Sequence, residues 1–182
     1  MGEARAWAAL LRGINVGGRH RMPMAELRAL LVAEGCTGVR TLIQSGNALF
    51  HAEGERAALS ARLAAAIAAR FGFPVPVVLL DPGDFADARS RHPFLDGEGA
   101  PGTLSVGFLA DIPTRAQVAA LDPDRSPGDR FAVQGRRVYL HCPRGFARTR
   151  LTTAWFDRGL GTTLTVRNWK TLGRLADAAA ER

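Results

Sequence analysis

The unbroken apolar run from Trp7 to Leu11 gives way to ten residues with no period at all, and that contrast sets the first element boundary. Five consecutive apolar residues predict a central strand covered on both faces. Arg12 to Arg21 reads as loop, because Gly13, Gly17 and Gly18 break helical and strand patterns alike. Pro23 suits a first helical position, and Met24, Leu27, Leu30 and Leu31 then recur at helical spacing until Gly35. Val39 to Ile43 predicts a second strand, Ser45-Gly46 a two-residue turn, and Asn47 to His51 the returning strand. That register places Val39, Thr41, Ile43, Ala48 and Phe50 on one face. Arg40, Gln44, Asn47 and His51 fall on the other, with Leu42 and Leu49 among them. Leu59, Leu63, Ile67 and Phe71 recur every fourth position, with Arg56, Arg62 and Arg70 turned away, so Glu55 to Phe71 is an amphipathic helix ended by Gly72. Pro74 to Leu80 is a strand, and its two prolines place it at a sheet edge.

The same order then returns. Asp84 is positioned to cap a short helix reaching about Arg91, and residues 93–102 (PFLDGEGAPG) have linker composition. Leu104 to Ala110 is a strand, and Thr114 caps a helix to Leu121. Arg130 to Gln134 and Arg137 to Cys142 form a hairpin over Gly135. Thr149 to Arg158 is a helix, Thr163 to Arg167 a strand, and Asn168 caps a last helix to about Ala180. Both halves read β-α-β-β-α-β without shared sequence. The expected fold is α+β: two tandem ferredoxin-like subdomains with mixed, mainly antiparallel sheets. The expected division is 1–82, a short helix and linker at 83–102, and 103–182.

Charge narrows the choice of partner. Formal net charge is +7, and Lys170 is the only lysine among 24 Lys and Arg residues. A GC-rich coding sequence accounts for this arginine excess; so does selection for arginine's bidentate grip on phosphate and carboxylate. Either way the surface favours anionic partners. Two distant cysteines, Cys36 and Cys142, exclude a disulfide framework and a cysteine zinc site, and a reducing cytoplasmic setting is expected. The N-terminus lacks the pattern of a signal peptide, and no apolar run reaches the ~20 residues of a membrane helix. The sequence names no cofactor.

Three stretches could carry binding chemistry. The first loop offers backbone N–H groups from Gly13 to Gly18 beside Arg12, Arg19 and Arg21, with a helix start just beyond. It matches neither GxGxxG nor GxxxxGK[ST], and Pro23 removes one donor. It is therefore an anion site or a structural crossover in which Asn15 and the glycines make the turn. In the second stretch, YLHCPRGFARTRLT, Arg144, Arg148 and Arg150 crowd a loop that enters a helix. Arg137, Tyr139 and His141 share a strand face opposite Val138, Leu140 and Cys142. That suits an anionic, planar ligand or a solvated strand face. In the third, Arg167, Asn168, Trp169 and Lys170 either complete a basic patch or supply a cap and a core residue. A Cys142–His141 nucleophile is excluded because adjacent strand residues point to opposite faces. The four histidines lack metal-ligand spacing.

LLRGINVGG at 10–18, PMAEL at 23–27, QSGN at 44–47, the YLH-x-P-x-G-x-x-R-x-x-LT pattern at 139–152 and RNW-x-T at 167–171 together resemble the domain-of-unknown-function family sixteen-ninety-seven, nearly end to end. The resemblance implies a bacterial, cytoplasmic α+β protein of two ferredoxin-like subdomains, and it carries no catalytic residues over. It points to Arg12, Gly13, Asn15, Gly17 and Gly18; to Gln44, Ser45, Gly46 and Asn47; to His141, Gly145 and Arg148; and to Arg167, Asn168 and Trp169. The family often has an acid before the glycine at 145 and a lysine at 150, where this chain has Arg144 and Arg150.

Three functions compete. The leading expectation is binding of an anionic ligand, nucleic acid or a phosphorylated metabolite, through the glycine and arginine loops. The second is an enzyme acting on a small phosphorylated or carboxylated substrate, with Gln44, Asn47, His141 and Arg148 converging and His141 as acid or base. The third is an interaction module that pairs through open sheets.

Overall fold

The computed structural model describes residues 3–95 and 100–181. The chain forms two compact units, Met1–Pro82 and Gly83–Arg182.

In the first unit the order is β1 (Arg5–Leu11), α1 (Met24–Ala33), β2 (Thr37–Leu42), β3 (Asn47–Ala52), α2 (Arg56–Phe71) and β4 (Val77–Leu80). The sheet order is β2-β3-β1-β4, with β4 at an edge as its prolines predict. Every pairing is antiparallel, which corrects the expectation of mixed sheets. Each helix joins two strands that run the same way, but a third strand always lies between them. No parallel pair therefore touches, and the arrangement is ferredoxin-like.

The helical spacing read from sequence is the packing face. Leu27 and Leu31 of α1 and Leu59, Leu63 and Ile67 of α2 bury against Trp7, Ala9, Leu11, Ala48, Phe50 and Leu79 of the sheet. Each large side chain so buried contributes roughly 1.5–3 kcal/mol relative to exposure. The Trp7 indole N–H donates to the Ala52 carbonyl at 3.2 Å, which satisfies its one polar atom. Gly72 at φ +78 ends α2 in the left-handed form that lets its N–H reach the Ala68 carbonyl. Pro23 lies one residue earlier than expected, as the extended N-cap of α1.

The second unit carries α3 (Asp84–Ser90), β5 (Leu104–Leu109), α4 (Arg115–Ala119), β6 (Arg130–Gln134), β7 (Arg137–His141), α5 (Thr153–Leu160), β8 (Leu164–Asn168) and α6 (Trp169–Ala180). Its sheet order is β6-β7-β5-β8, again antiparallel throughout. The fold of the first unit recurs, with α3 and α6 added.

Three expectations change here. The short helix expected within 83–102 is part of the second unit: Phe85 of α3 stands edge-on to Phe108 of β5 at 5.6 Å. The centre of the expected linker, residues 96–99, lies outside the described residues. Asp84 does not cap α3, whose N-cap is Gly83; its carboxylate accepts from Arg137 at 2.7 Å instead. The helix expected from Thr149 starts at Thr153. Ser126 Oγ takes the Arg150 N–H at 3.1 Å and Thr149 Oγ1 takes the Leu151 N–H at 3.1 Å, so side chains claim donors that a longer helix would use. Thr152 then caps α5 through the Trp155 N–H. Thr114 and Gln117 form a full capping box on α4, and Asn168 accepts from the Thr171 N–H at 2.8 Å to cap α6.

Candidate functional site

In the antiparallel register Leu10 of β1 lies opposite Asn47 of β3. That brings the loop after β1 and the turn before β3, the RGINVGG and QSGN stretches, to one end of the first sheet. The Leu11 N–H donates to the Gly46 carbonyl at 2.8 Å. Asn15 joins them further. Its Nδ2 donates to the carbonyls of Met22 at 3.0 Å and Gln44 at 2.8 Å, and its Oδ1 accepts from the Met22 N–H at 2.8 Å. Gly46 closes the joint: a Cβ there would lie 2.7 Å from Ile14 Cδ1 and 2.8 Å from Leu11 Cβ.

The hairpin turn is longer than the expected Ser45-Gly46 pair. Leu42 pairs with Asn47, so residues 43–46 form the turn. Ile43, expected in the core face of β2, takes φ +60 and is 38% exposed. A β-branched residue in the left-handed region carries strain of about 1–3 kcal/mol. Among the described residues the non-glycine residues at positive φ are Asn15, His20 and Ile43, all within these two loops. Asn47, expected on the outer face, is fully buried and donates to the Leu42 carbonyl and to Ser45 Oγ, both at 2.9 Å. Gln44 and Ser45 stay exposed.

The loop itself is a small hairpin. Gly17 and Gly18, at φ +58 and +76, occupy the centre of a turn closed by the Arg19 N–H on the Val16 carbonyl at 3.1 Å. His20 turns onto the body of the unit, its ring stacked on Phe73 at 4.5 Å and its Nδ1 3.0 Å from the Gly13 carbonyl. Gly13, Arg19 and Arg21 are exposed, and Arg12 is half-buried. Asn15 and the glycines therefore do make the crossover, while the two outer arginines remain at the surface.

In the second unit Arg144, Arg148 and Arg150 are all exposed, around a turn whose Gly145 takes φ +84. Two long-range bonds bring another loop beside them: Arg144 donates to the Pro127 carbonyl at 3.3 Å, and the Arg150 N–H to Ser126 Oγ. Arg125, next to Ser126, joins this surface. Sequence reading missed it, because the bond that brings it there spans 24 residues and no local pattern announces it. The nearby buried acid, Asp129, accepts from Ser126 Oγ at 2.6 Å and so serves the loop rather than the arginines.

The polar strand face of β7 is not open. Tyr139 is fully buried and His141 is 3% exposed. His92 stands edge-on to Tyr139 at 5.1 Å, Trp169 at 5.4 Å and Phe94 at 5.8 Å, and Phe94 leans on His141 at 6.1 Å. A planar ligand on Arg137, Tyr139 and His141 is thereby replaced by the protein's own rings. Arg137 pairs with Asp84 and Asp87. Burial pulls its pKa down, but the hydrogen bond to Asp84 and the nearness of Tyr139 more than offset this, and the guanidinium sits above its ordinary value. Among the described residues the Tyr139 hydroxyl meets no partner of hydrogen-bonding geometry, and neither do His141 Nδ1 and Thr165 Oγ1. Burial pushes His92 below its usual pKa, Cys36 above and Cys142 up to about 11. Arg167, 8% exposed, donates to the Val166 carbonyl at 3.0 Å, and burial lowers its pKa to about 10. Arg167, Asn168 and Trp169 thus act as a buried cation, a cap and a half-buried packing residue. Among the described residues no group of His, Cys, Asp and Glu is placed to hold a metal ion, and no helix is long and apolar enough to cross a membrane.

Comparison with known proteins agrees with the fold and gives no chemistry. No curated protein matches the sequence. A solved structure, the conserved bacterial protein SP0830 from Streptococcus pneumoniae, is similar over 98% of this chain and 99% of that one, at 23% identity and a TM-score of 0.71. The family model described as protein of unknown function (DUF1697) matches residues 5–139, and with the two signature loops joined in the first unit, the chain belongs to that family.

Proposed function

We propose that the protein binds an anionic ligand and that a nucleic-acid backbone is the ligand its second unit suits best. The observation that carries this reading is that Arg144, Arg148 and Arg150 stand exposed on one loop, with no carboxylate among the described residues paired to any of them. Arginines held at a surface without acids repel one another, and phosphates relieve that repulsion while offering oxygens in bidentate geometry. Three exposed guanidiniums on one loop offer donors to more than one phosphate. A small phosphorylated metabolite would favour a rigid concavity. The enclosed face of β7 offers no exposed aromatic platform for bases, so the expected mode is backbone recognition without sequence preference.

Affinity for a mixed-sequence oligonucleotide, measured across salt concentrations, tests this. Binding should weaken steeply with salt, and Arg148→Ala/Arg150→Ala should lower the log–log slope by about one for each phosphate that the variant no longer neutralises. An affinity and slope unchanged in the double variant would reject the site.

A further inference from the structure

The hairpin in the first unit differs in kind from the arginine loop of the second. Its two arginines stand beside a bare glycine apex, whereas those of the second unit surround a turn that the loop at Ser126 and Pro127 already contacts. We infer that the hairpin from Gly13 to Arg21 is a built site for a single phosphomonoester group. This deepens the anionic-ligand reading and rests on it.

Three observations converge. Gly17 and Gly18 leave the turn apex bare: a Cβ on either would meet nothing within 4 Å, so a ligand can approach the backbone. From Gly13 to Gly17 the sign of φ alternates, positive at Gly13, Asn15 and Gly17 and negative between. The Asn15 N–H is taken by the His20 carbonyl at 3.1 Å, so the backbone donors left to a ligand are those of Gly17 and Gly18 at the apex. Arg19 and Arg21 flank His20, and while His20 is held on Phe73, both arginines stay exposed. Among the described residues neither arginine side chain has a partner. No carboxylate occurs between Arg12 and Arg21, so the surface is rich in donors and its cations are uncompensated within the hairpin.

The charge selects the ligand class. Two guanidiniums match a phosphomonoester, which carries about −1.5 to −2 at pH 7 and three terminal oxygens. A phosphodiester carries a single charge and two free oxygens. The rigidity supplied by Asn15 and Gly46 means the backbone donors need not be ordered on binding. The bound group would be a terminal phosphate, on a metabolite or at the end of a nucleic-acid chain.

The test is a titration of the full ¹⁵N-labelled chain at about pH 7.5 and constant ionic strength, once with methyl phosphate and once with dimethyl phosphate. The amide resonances of Gly17 and Gly18 should shift saturably with methyl phosphate and at least about tenfold more weakly with dimethyl phosphate. Arg19→Ala/Arg21→Ala should abolish the saturable shift and leave the rest of the spectrum in place. Shifts that stay linear, that are equal for the two esters, or that persist in the double variant overturn the inference. Because both probes are small, this outcome is independent of the salt-slope experiment at Arg148 and Arg150. Failure there with saturation here would remove the nucleic-acid reading and leave the phosphate site standing.

Discussion

The side-chain amide of Asn15 donates to the main-chain carbonyl of Gln44 at 2.8 Å, across 29 residues of sequence. That bond explains why two glycine-bearing stretches with no pattern in common belong to one structure: each is shaped to fit the other at the end of the first sheet.

Asn15 holds that joint through three bonds and also occupies left-handed backbone at φ +54. Asn15→Ala should lower unfolding free energy by about 2–4 kcal/mol, from missing bonds to partly buried groups plus the left-handed penalty. Asn15→Gly keeps the backbone freedom and should lose about 1–2 kcal/mol less. Urea unfolding of the two variants measures the difference. Equal losses would mean that the backbone conformation costs nothing here.

Two glycines at similar φ should respond differently to alanine. At Gly46 the new methyl overlaps Ile14 and Leu11, so the steric and conformational costs add to about 2–4 kcal/mol. At Gly17 the methyl meets open space and only the conformational cost of about 1–2 kcal/mol remains. Thermal unfolding should rank Gly46→Ala well below Gly17→Ala; the reverse order would refute the close approach at Gly46.

His92 is buried among Tyr139, Phe94 and Trp169, and burial lowers its pKa from the usual 6.5, with His141 adding to the effect. The unfolded chain therefore binds a proton that the folded chain does not, over the range below about pH 6.5. Stability from this group is complete above that pH and is lost as pH falls through its lower folded value. His92→Gln should flatten the pH dependence of urea midpoints between about pH 7.5 and 5. A dependence identical to that of the parent would assign the proton uptake elsewhere.

Cys142 has its thiol pushed up to about 11, chiefly by burial, with Asp129 adding and Thr149 opposing. At pH 8 roughly one molecule in a thousand carries the thiolate, and Cys36 is shifted the same way. Both thiols should resist an aromatic disulfide reagent in native protein and react at once in denaturant. Rapid native labelling of either would show that its surroundings open.

Much of the fold was legible because it rests on local pattern. The four-residue spacing of Leu59, Leu63 and Ile67, the caps at Thr114 and Asn168, and the prolines before β4 all act within a few residues. Ile43 left its strand for a four-residue turn. α5 began late at Thr153 and α3 joined the second unit through interactions that cross long stretches of sequence. Periodicity is blind to such interactions. The site was half legible on the same terms: composition and glycine spacing marked the arginine loops. They could not show that Tyr139 and His141 lie under His92 and Phe94, or that Arg125 comes to lie near Arg150.

The sequence alone determined the element order, the two-fold repetition of β-α-β-β-α-β and the surplus of arginine, since hydrophobic period and charge are properties of neighbouring residues. Tertiary structure decided which polar groups remain available to a ligand. Burial withdrew Asn47, His141 and Arg167 from solvent, and left Arg19, Arg21, Arg148 and Arg150 at the surface. A side chain's freedom depends on what the folded chain places above it.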